Sequence, residues 1–347
     1  MTFEKILFVR RDNIGDLVCT TPAIHAVRQA FPWARLAIVV NTYTADLIRD
    51  HPDLDLVYVL EKPKHAPGKS KLPVLWDNLR VFRQIRRERY DAAIGCGLYS
   101  PTLARYTFFT GARLRIGYVR SKAGRFCFNQ AFPEPTKPQH EVVRVFNLLA
   151  PLGITGEPGD LVLPPDPEAA RQFAKFKKEH EVTPAKPLLA VAISARLQAN
   201  KWPLPKFIAL MERIIAAGRV RVLLLWAPGS RHNPTYPGED EAAAEVLGHF
   251  QQAILAYPTP TLKDLAAALA GADLALTLDT GSLHLAAAAK RPTLALMTQA
   301  KATDWFPWKT ESRVITARER VAEITVDEVW EALSDLLQGL GATLSQD

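Results

Sequence analysis

The sequence predicts an α/β protein made of two Rossmann-like, doubly wound domains. Three observations lead there. Short apolar runs alternate with stretches of helical spacing, the rhythm of a parallel sheet covered by helices. That rhythm is interrupted by APLGITGEPGDLVLPPDPEA at 150–169, where proline and glycine are dense enough for an interdomain linker. The chain has 347 residues, too many for one ordinary domain and enough for two hydrophobic cores. The expected domains are 1–160 and 161–324. A C-terminal helix over 325–347 follows, with the N-terminal domain as one surface open to it.

The elements can be justified in order. KILFVR (5–10) places four apolar residues between charges, the pattern of a buried parallel strand. LVCTTPAIHAVRQAF (17–31) has helical spacing, with Pro22 in its first turns. RLAIVVN is a second strand, TADLIRDHP a helix stopped by proline, and LDLVYVL a third strand. VLWDNLRVFRQIRRERY (74–90) is an amphipathic helix with a basic outer face, and DAAIGCG a fourth strand. Past the linker the rhythm restarts. PLLAVAIS (187–194) is a strand, PKFIALMERIIAAG a helix ending at Gly218, and VRVLLLW (220–226) a strand. EDEAAAEVLGHF and TLKDLAAALAGA (261–272) are helices, followed by the strand DLALTL, a helix from Ser282 and the strand RPTLALM. TVDEVWEALSDLLQGLG (325–341) closes the chain as a helix.

Composition narrows the class of function. Apolar residues make up 48% and charged residues 23%, as in a globular protein. No apolar run reaches the length of about 18 residues that spans a bilayer, and the N-terminus has no secretory signal pattern. The expected location is cytoplasmic. Cys19, Cys96 and Cys127 form no C-x-x-C pair, so free thiols are expected rather than disulfides or a cysteine zinc site. The net charge is +7, and it is concentrated. Residues 60–126 hold fifteen Lys or Arg against four Asp or Glu. Such a stretch suits an anionic membrane surface, an acidic substrate or a solvated helix face. No nucleic-acid-binding signature accompanies it, so no nucleic-acid partner is expected.

Two strand-to-helix junctions carry chemistry. In LTLDTGSLHLAAAAKRP (276–292) a buried strand ends at Leu278, and Asp279, Thr280, Gly281 and Ser282 lead into a helix. Ligands of open α/β sheets bind beyond the carboxyl ends of strands. A helix N-terminus there offers N–H groups and a positive dipole to a diphosphate. An acid beside it accepts hydrogen bonds from sugar hydroxyls, so the pair suits a nucleotide sugar. The alternative is that Asp279 or Ser282 only caps the helix. The matching junction, RRDNIGDLVCTTPAI (10–24), sets Asn13, Ile14, Gly15 and Asp16 after the first strand. It lacks the dinucleotide and Walker glycine patterns. Asp16 reads either as a general base or as a helix cap. Gly95 and Gly97 read as a close packing turn.

ILFVRRDNIGDLVCTTPAIHAVRQAFPWARLAIVV, NKWPLPKFIAL and LTLDTGSLHLAAAAKRPTLALM together resemble glycosyltransferase family 9, the ADP-heptose:lipopolysaccharide heptosyltransferases. The likeness spans about residues 5–308. It implies a GT-B fold, with two Rossmann-like domains facing a central cleft, and inverting transfer of a heptose or related sugar. By the same resemblance Asp16 is the catalytic base. Ser194, Lys201, Asp279, Thr280, Gly281, Ser282 and His284 hold the donor, and Asn13, Gly15 and Arg120 belong to the acceptor side. His284 also reads as a core histidine. The implied partners are an ADP-heptose-type donor and a lipid-linked anionic oligosaccharide, reached at the inner face of the cytoplasmic membrane. No metal or other cofactor is implied.

The sequence departs from the family pattern in two places. Ile193, Ser194 and Ala195 stand where members often have P-G-A. Asn200 stands where many carry a phosphate-binding lysine, leaving Lys201 either at a shifted phosphate contact or on an exposed loop. A nucleotide-sugar epimerase or binding protein on the same fold is the competing reading.

Overall fold

A computed structural model describes residues 2–61, 71–120, 122–233 and 237–339. Lys62, Lys64 and Lys69 of the basic stretch lie outside them. The chain divides into two compact units, Met1–Pro164 and Pro165–Asp347.

The first unit is a six-stranded parallel sheet. Its strands are β1 (Lys5–Val9), β2 (Arg35–Asn41), β3 (Leu56–Leu60), β4 (Ala92–Gly95), β5 (Leu114–Val119) and β6 (Gln130–Pro133), in the order β3-β2-β1-β4-β5-β6. Its helices are α1 (Ile14–Val18), α2 (Thr21–Ala30), α3 (Ala45–Ile48), α4 (Lys71–Glu88), α5 (Pro101–Phe109) and α6 (Glu141–Asn147). β1 lies between β2 and β4, with Leu7 opposite Ala37 on one side and Ala93 on the other. A strand flanked in this way and covered on both faces must be apolar throughout, and Ile6 to Val9 are fully buried. The single helix expected over 17–31 is two helices instead. Pro22 lacks an N–H and its ring crowds the carbonyl of Val18, so the helix breaks before it. Thr21 Oγ1 donates to that carbonyl at 2.7 Å, and Thr20 Oγ1 to the carbonyl of Asp16 at 2.8 Å.

The proline- and glycine-rich segment is only partly a linker. Up to Val162 it is fastened to the first unit. Val162 N donates to Thr21 Oγ1 at 2.9 Å, and His51 Nε2 lies 3.0 Å from the Val162 carbonyl. Burial lowers the His51 pKa, which favours the neutral ring. From Pro167 the segment is already helix, capped by Asp166, whose Oδ1 accepts from Ala169 N at 2.9 Å.

The second unit repeats the topology. Its strands are β7 (Leu188–Ala192), β8 (Arg221–Trp226), β9 (Leu255–Pro258), β10 (Leu274–Leu278), β11 (Thr293–Thr298) and β12 (Ser312–Ala317), ordered β12-β11-β10-β7-β8-β9. Its helices are α7 (Pro167–Glu179), α8 (Leu204–Ala217), α9 (Asp240–Phe250), α10 (Leu262–Gly271), α11 (Gly281–Ala288), α12 (Gln299–Trp305) and α13 (Val326–Gly339). α13 lays Val329, Trp330, Leu333, Leu336 and Leu337 into the core formed by β11, β12 and α8. The apolar face of the closing helix is therefore used up within the second unit. Cys19 and Cys96 are buried thiols outside any disulfide, and Cys127 is a partly buried one. No helix among the described residues is long and apolar enough to cross a membrane.

Leu333 is fully buried. Leu333→Ala is expected to destabilise the second unit by about 2–5 kcal/mol, read from the urea midpoint of the full chain.

Candidate active site

Both sheets have the strand order in which the chain winds away from a central strand in opposite directions. Loops after the two strands at that reversal diverge and leave a crevice at their carboxyl ends. In the first unit these strands are β1 and β4, and in the second β7 and β10. Asp16 and Asp279 each follow one of them within a few residues.

In the first unit a buried arginine fills the crevice. Arg10 directly follows β1 and its side chain is 1% exposed. Its Nη2 donates to Asp16 Oδ1 at 2.7 Å and to Glu141 Oε1 at 2.6 Å. Nε donates to the Asp16 carbonyl at 3.1 Å, and Nη1 to the carbonyl of Cys96 after β4. Glu141, on α6, gives its other oxygen to Arg144 Nη1 at 3.1 Å. Burial works against the Arg10 charge, but Asp16, Glu141 and Asp12 outweigh it and hold the guanidinium well above its ordinary pKa. The Gly95–Gly97 turn is shaped around this group. Gly97 has φ +124°, and a Cβ there would collide with Arg10 Nη1.

Asp16 is both cap and partner. Its Oδ2 accepts from the backbone N–H of Asn13 at 3.1 Å and from Asn13 Nδ2 at 3.2 Å, closing the first turn of α1. An ionised carboxylate has about four acceptor positions, of which Arg10 and Asn13 occupy three. The side chain is 18% exposed, so it is held yet reachable by solvent. Asn41, at the end of β2, supports the loop from below, donating to the carbonyls of Arg11 at 2.9 Å and Asp12 at 2.7 Å. Gly15 is buried within α1. Arg120 follows β5 on the same edge of the sheet and pairs with Glu134 at 2.6 Å, on an exposed side chain.

In the second unit Asn200 does the tying. Its Nδ2 donates to the Asp279 carbonyl at 3.0 Å and to Asp279 Oδ2 at 2.9 Å. Its position is set by the neighbouring Trp202, which is buried against Phe207 and donates Nε1 to the Ile324 carbonyl at 2.9 Å. Asp279 is pushed above the ordinary carboxylate range by burial, while Lys301 and the Asn200 amide pull it back. Thr280 caps α11 in extended backbone, and its Oγ1 lies 2.8 Å from Ser282 Oγ. The N–H groups of Gly281 and Ser282 head the helix, where no intrahelical carbonyl can reach them. Lys201 is 41% exposed and pairs with Glu239 at 3.7 Å, and burial raises that carboxyl. Ser194 Oγ accepts from Ala227 N at 3.2 Å, bridging the loops after β7 and β8. His284 is buried, 5.7 Å from the Trp305 ring and edge-on to it.

The structure thus gathers Asn13, Gly15 and Asp16 at the start of α1 and Asp279, Thr280, Gly281 and Ser282 at the start of α11. Lys201, Ser194 and Arg120 stand at the carboxyl edges of their sheets, each with a partner of its own. Residues the sequence reading did not single out are Arg10, Asn41, Glu141, Arg144 and Glu239. Arg10 had a signal: a charge immediately after a buried strand lies at the carboxyl edge by construction. Glu141 had none, being 131 positions away from its partner. Among the described residues no group of three or more His, Cys, Asp or Glu could hold a metal ion.

The fold is that of the GT-B glycosyltransferases. The family model for glycosyltransferase family 9 (heptosyltransferase) matches residues 78–330, and the chain belongs to that family. Lipopolysaccharide heptosyltransferase 3 of Escherichia coli K12 is 22% identical over 300 residues, covering 85% of this chain and 82% of that protein. A solved family 9 glycosyl transferase from Veillonella parvula superposes with a TM-score of 0.83 at 18% identity, over 98% of this chain and 99% of that one. An E. coli heptosyltransferase solved with ADP-2-deoxy-2-fluoro heptose gives a TM-score of 0.70 at 21% identity, over 97% of this chain and 99% of that one.

The raised Asp279 carboxyl has a stability consequence. A carboxyl that binds its proton more tightly folded than unfolded costs stability as pH rises through and above the ordinary aspartate range. Asp279→Asn is expected to raise the Tm of the unliganded chain at neutral pH, with the gain shrinking towards about pH 4. Thermal scans across pH check both halves of this statement.

Proposed function

We propose that the chain transfers a heptose from ADP-heptose to the inner core of lipopolysaccharide, with inversion at the anomeric carbon. The observation that carries this reading is the Asp279 carboxylate placed beside the N–H groups that open α11. It offers one group for sugar hydroxyls and another for a diphosphate. The nucleotide heptose bound by the E. coli relative has both parts.

In the first unit Asp16 accepts the proton of the acceptor hydroxyl as that oxygen attacks the anomeric carbon. The bond to the diphosphate breaks as the new glycosidic bond forms, on the opposite face of the sugar. Charge then collects on the departing diphosphate. The amides of Gly281 and Ser282 meet it, and Lys201 joins them by exchanging Glu239 for a phosphate oxygen. These protein groups supply the electrostatic stabilisation in this reading, and no metal is assigned a part. Asn13 and Gly15 shape the acceptor side, and Arg120 offers a cation to an anionic acceptor.

The acceptor is lipid-linked and anionic, and the first unit carries a surface suited to its membrane. On α4 the side chains of Leu75, Trp76 and Leu79 are 61%, 58% and 40% exposed. Arg80, Arg83, Arg86 and Arg87 follow on the same helix, all exposed. Apolar tips among arginines suit the interface of an anionic leaflet, where each basic residue contributes about 1 kcal/mol. The protein is accordingly placed in the cytoplasm, peripheral at the inner face of the cytoplasmic membrane.

Asp16→Asn is expected to lower kcat by about 10²–10⁴-fold with little change in donor affinity; a variant that keeps its full rate removes Asp16 as the base. Among ADP-heptose, UDP-, GDP- and CMP-sugars, ADP-heptose alone is expected to raise the Tm, by about 2.7 kcal/mol of stability at 100 times its Kd. A shift with another nucleotide sugar changes the donor and leaves the fold. In flotation, anionic vesicles are expected to carry the protein at low salt and to lose it in the Trp76→Ser, Arg83→Ser double variant. Equal flotation of both proteins rejects the α4 surface.

A further inference from the structure

Asp16 does not meet Arg10 alone. The same nitrogen, Arg10 Nη2, serves Asp16 Oδ1 at 2.7 Å and Glu141 Oε1 at 2.6 Å. Two carboxylates therefore share one guanidinium nitrogen. Glu141 side-chain exposure is 3%, so its charge is little screened by water. Its other oxygen is held by Arg144, whose side chain is 6% exposed.

We propose that Glu141 sets the basicity of Asp16 through the guanidinium they share, and so is a positioning residue for sugar transfer. The inference rests on Asp16 as the general base. A carboxylate paired with an arginine to itself is stabilised in its ionised form and becomes a poor proton acceptor. A base needs the opposite balance, enough hold to fix its orientation and enough negative potential to take a proton. Glu141 supplies that potential. It draws on the same Nη2 and sets a second negative charge one nitrogen away. Arg144 in turn limits how much of the Glu141 charge is felt. The chain Arg144–Glu141–Arg10–Asp16 alternates in sign, and each member tempers the next.

The other charged and titratable groups around Asp16 do not provide this control. Asp12 stands 3.9 Å from Arg10 Nε, but its side chain is 49% exposed and water screens it. Cys19, directly after α1, is held neutral, its thiol raised well above its ordinary value by burial. Cys96, after β4, is likewise pushed up to about 12 by burial. Asn13 carries no charge. Glu141 is the one buried carboxylate, among the described residues, that meets the same guanidinium as Asp16.

The test compares two variants whose effects must have opposite signs. Glu141→Gln keeps the shape and an acceptor oxygen but removes the charge, leaving Arg10 to Asp16 alone. The acid limb of the kcat/KM profile is expected to move down by about one pH unit, and the kcat plateau to fall several-fold. Arg144→Gln leaves the Glu141 charge less compensated, and the acid limb is expected to move up. Donor KM stays within about twofold in both, since neither side chain belongs to the donor unit. General loosening of α6 cannot move one limb in two directions. If Glu141→Gln does not fold, Glu141→Asp takes its place, withdrawing the carboxylate by one carbon and giving a smaller shift of the same sign. Limbs that stay put or move together, in a protein whose Asp16→Asn form is inactive, overturn the role of Glu141 and leave the base in place. An Asp16→Asn form with full activity overturns the base, and this inference with it.

Discussion

A single buried guanidinium holds the carboxyl edge of the first unit together. Arg10 leaves the end of β1 and reaches three separate segments: α1 through Asp16, the turn after β4 through the Cys96 carbonyl, and α6 through Glu141. A charge removed from water this completely is tolerable only when it is well hydrogen-bonded and the opposing charge is close. All three guanidinium nitrogens of Arg10 donate, and two carboxylates stand against it. Gly97 adopts a left-handed conformation that suits glycine, and a side chain there would take the space of the guanidinium. Removing one partner of such a buried pair costs about 3–5 kcal/mol, because the charge left behind is stranded out of water. A capping carboxylate in an isolated five-residue helix would fray, and this one does not depend on its helix.

The second unit solves the same problem without charge. Its two central strands also part at their carboxyl ends, and Asn200 spans the gap by donating to both the backbone and the side chain of Asp279. The amide fixes the carboxylate while neutralising little of it. Asp279 is left partly desolvated, the condition that raises its pKa, and Lys301 and the Asn200 amide offset this only in part. A ligand rich in hydroxyl donors relieves that condition on binding. The two crevices therefore differ in character. One holds its acid with a full ion-pair network, and the other leaves its acid under-satisfied and open to partners. Residues kept at some cost to stability are expected where binding energy is later recovered.

Much of this was legible in the chain itself, but unevenly. β1, β2, β7 and β10 are flanked by strands and buried through most of their length, so each is dominated by apolar residues, with Thr277 the polar exception inside β10. Most of the outer strands escape that reading, β3 excepted. SRVITA of β12 and QAFP of β6 face mixed surroundings, and their sequences are mixed accordingly. The helix α7 begins inside a stretch dense in proline and glycine, which reads as linker. Its Asp166-Pro167 start is the overlooked local signal. At the sites, Asp16 and Asp279 could be found because strand-to-helix junctions are local events. The contacts behind them were not local in the same way: Glu141 lies 131 positions from Arg10, and Asn200 lies 79 from Asp279, so its bond to that acid was not legible even though the residue itself stood out.

The alternation of strand and helix, the two cores, and the acids at the carboxyl ends of central strands are encoded locally in the chain. These follow from burial and from hydrogen bonding between near neighbours, which act over a few residues. The strand order, the docking of α13 in the second core and the network behind Asp16 were decided by folding. Each depends on groups brought together from distant parts of the chain. A carboxylate's chemistry is set by the charges and donors around it, and those are assigned by folding.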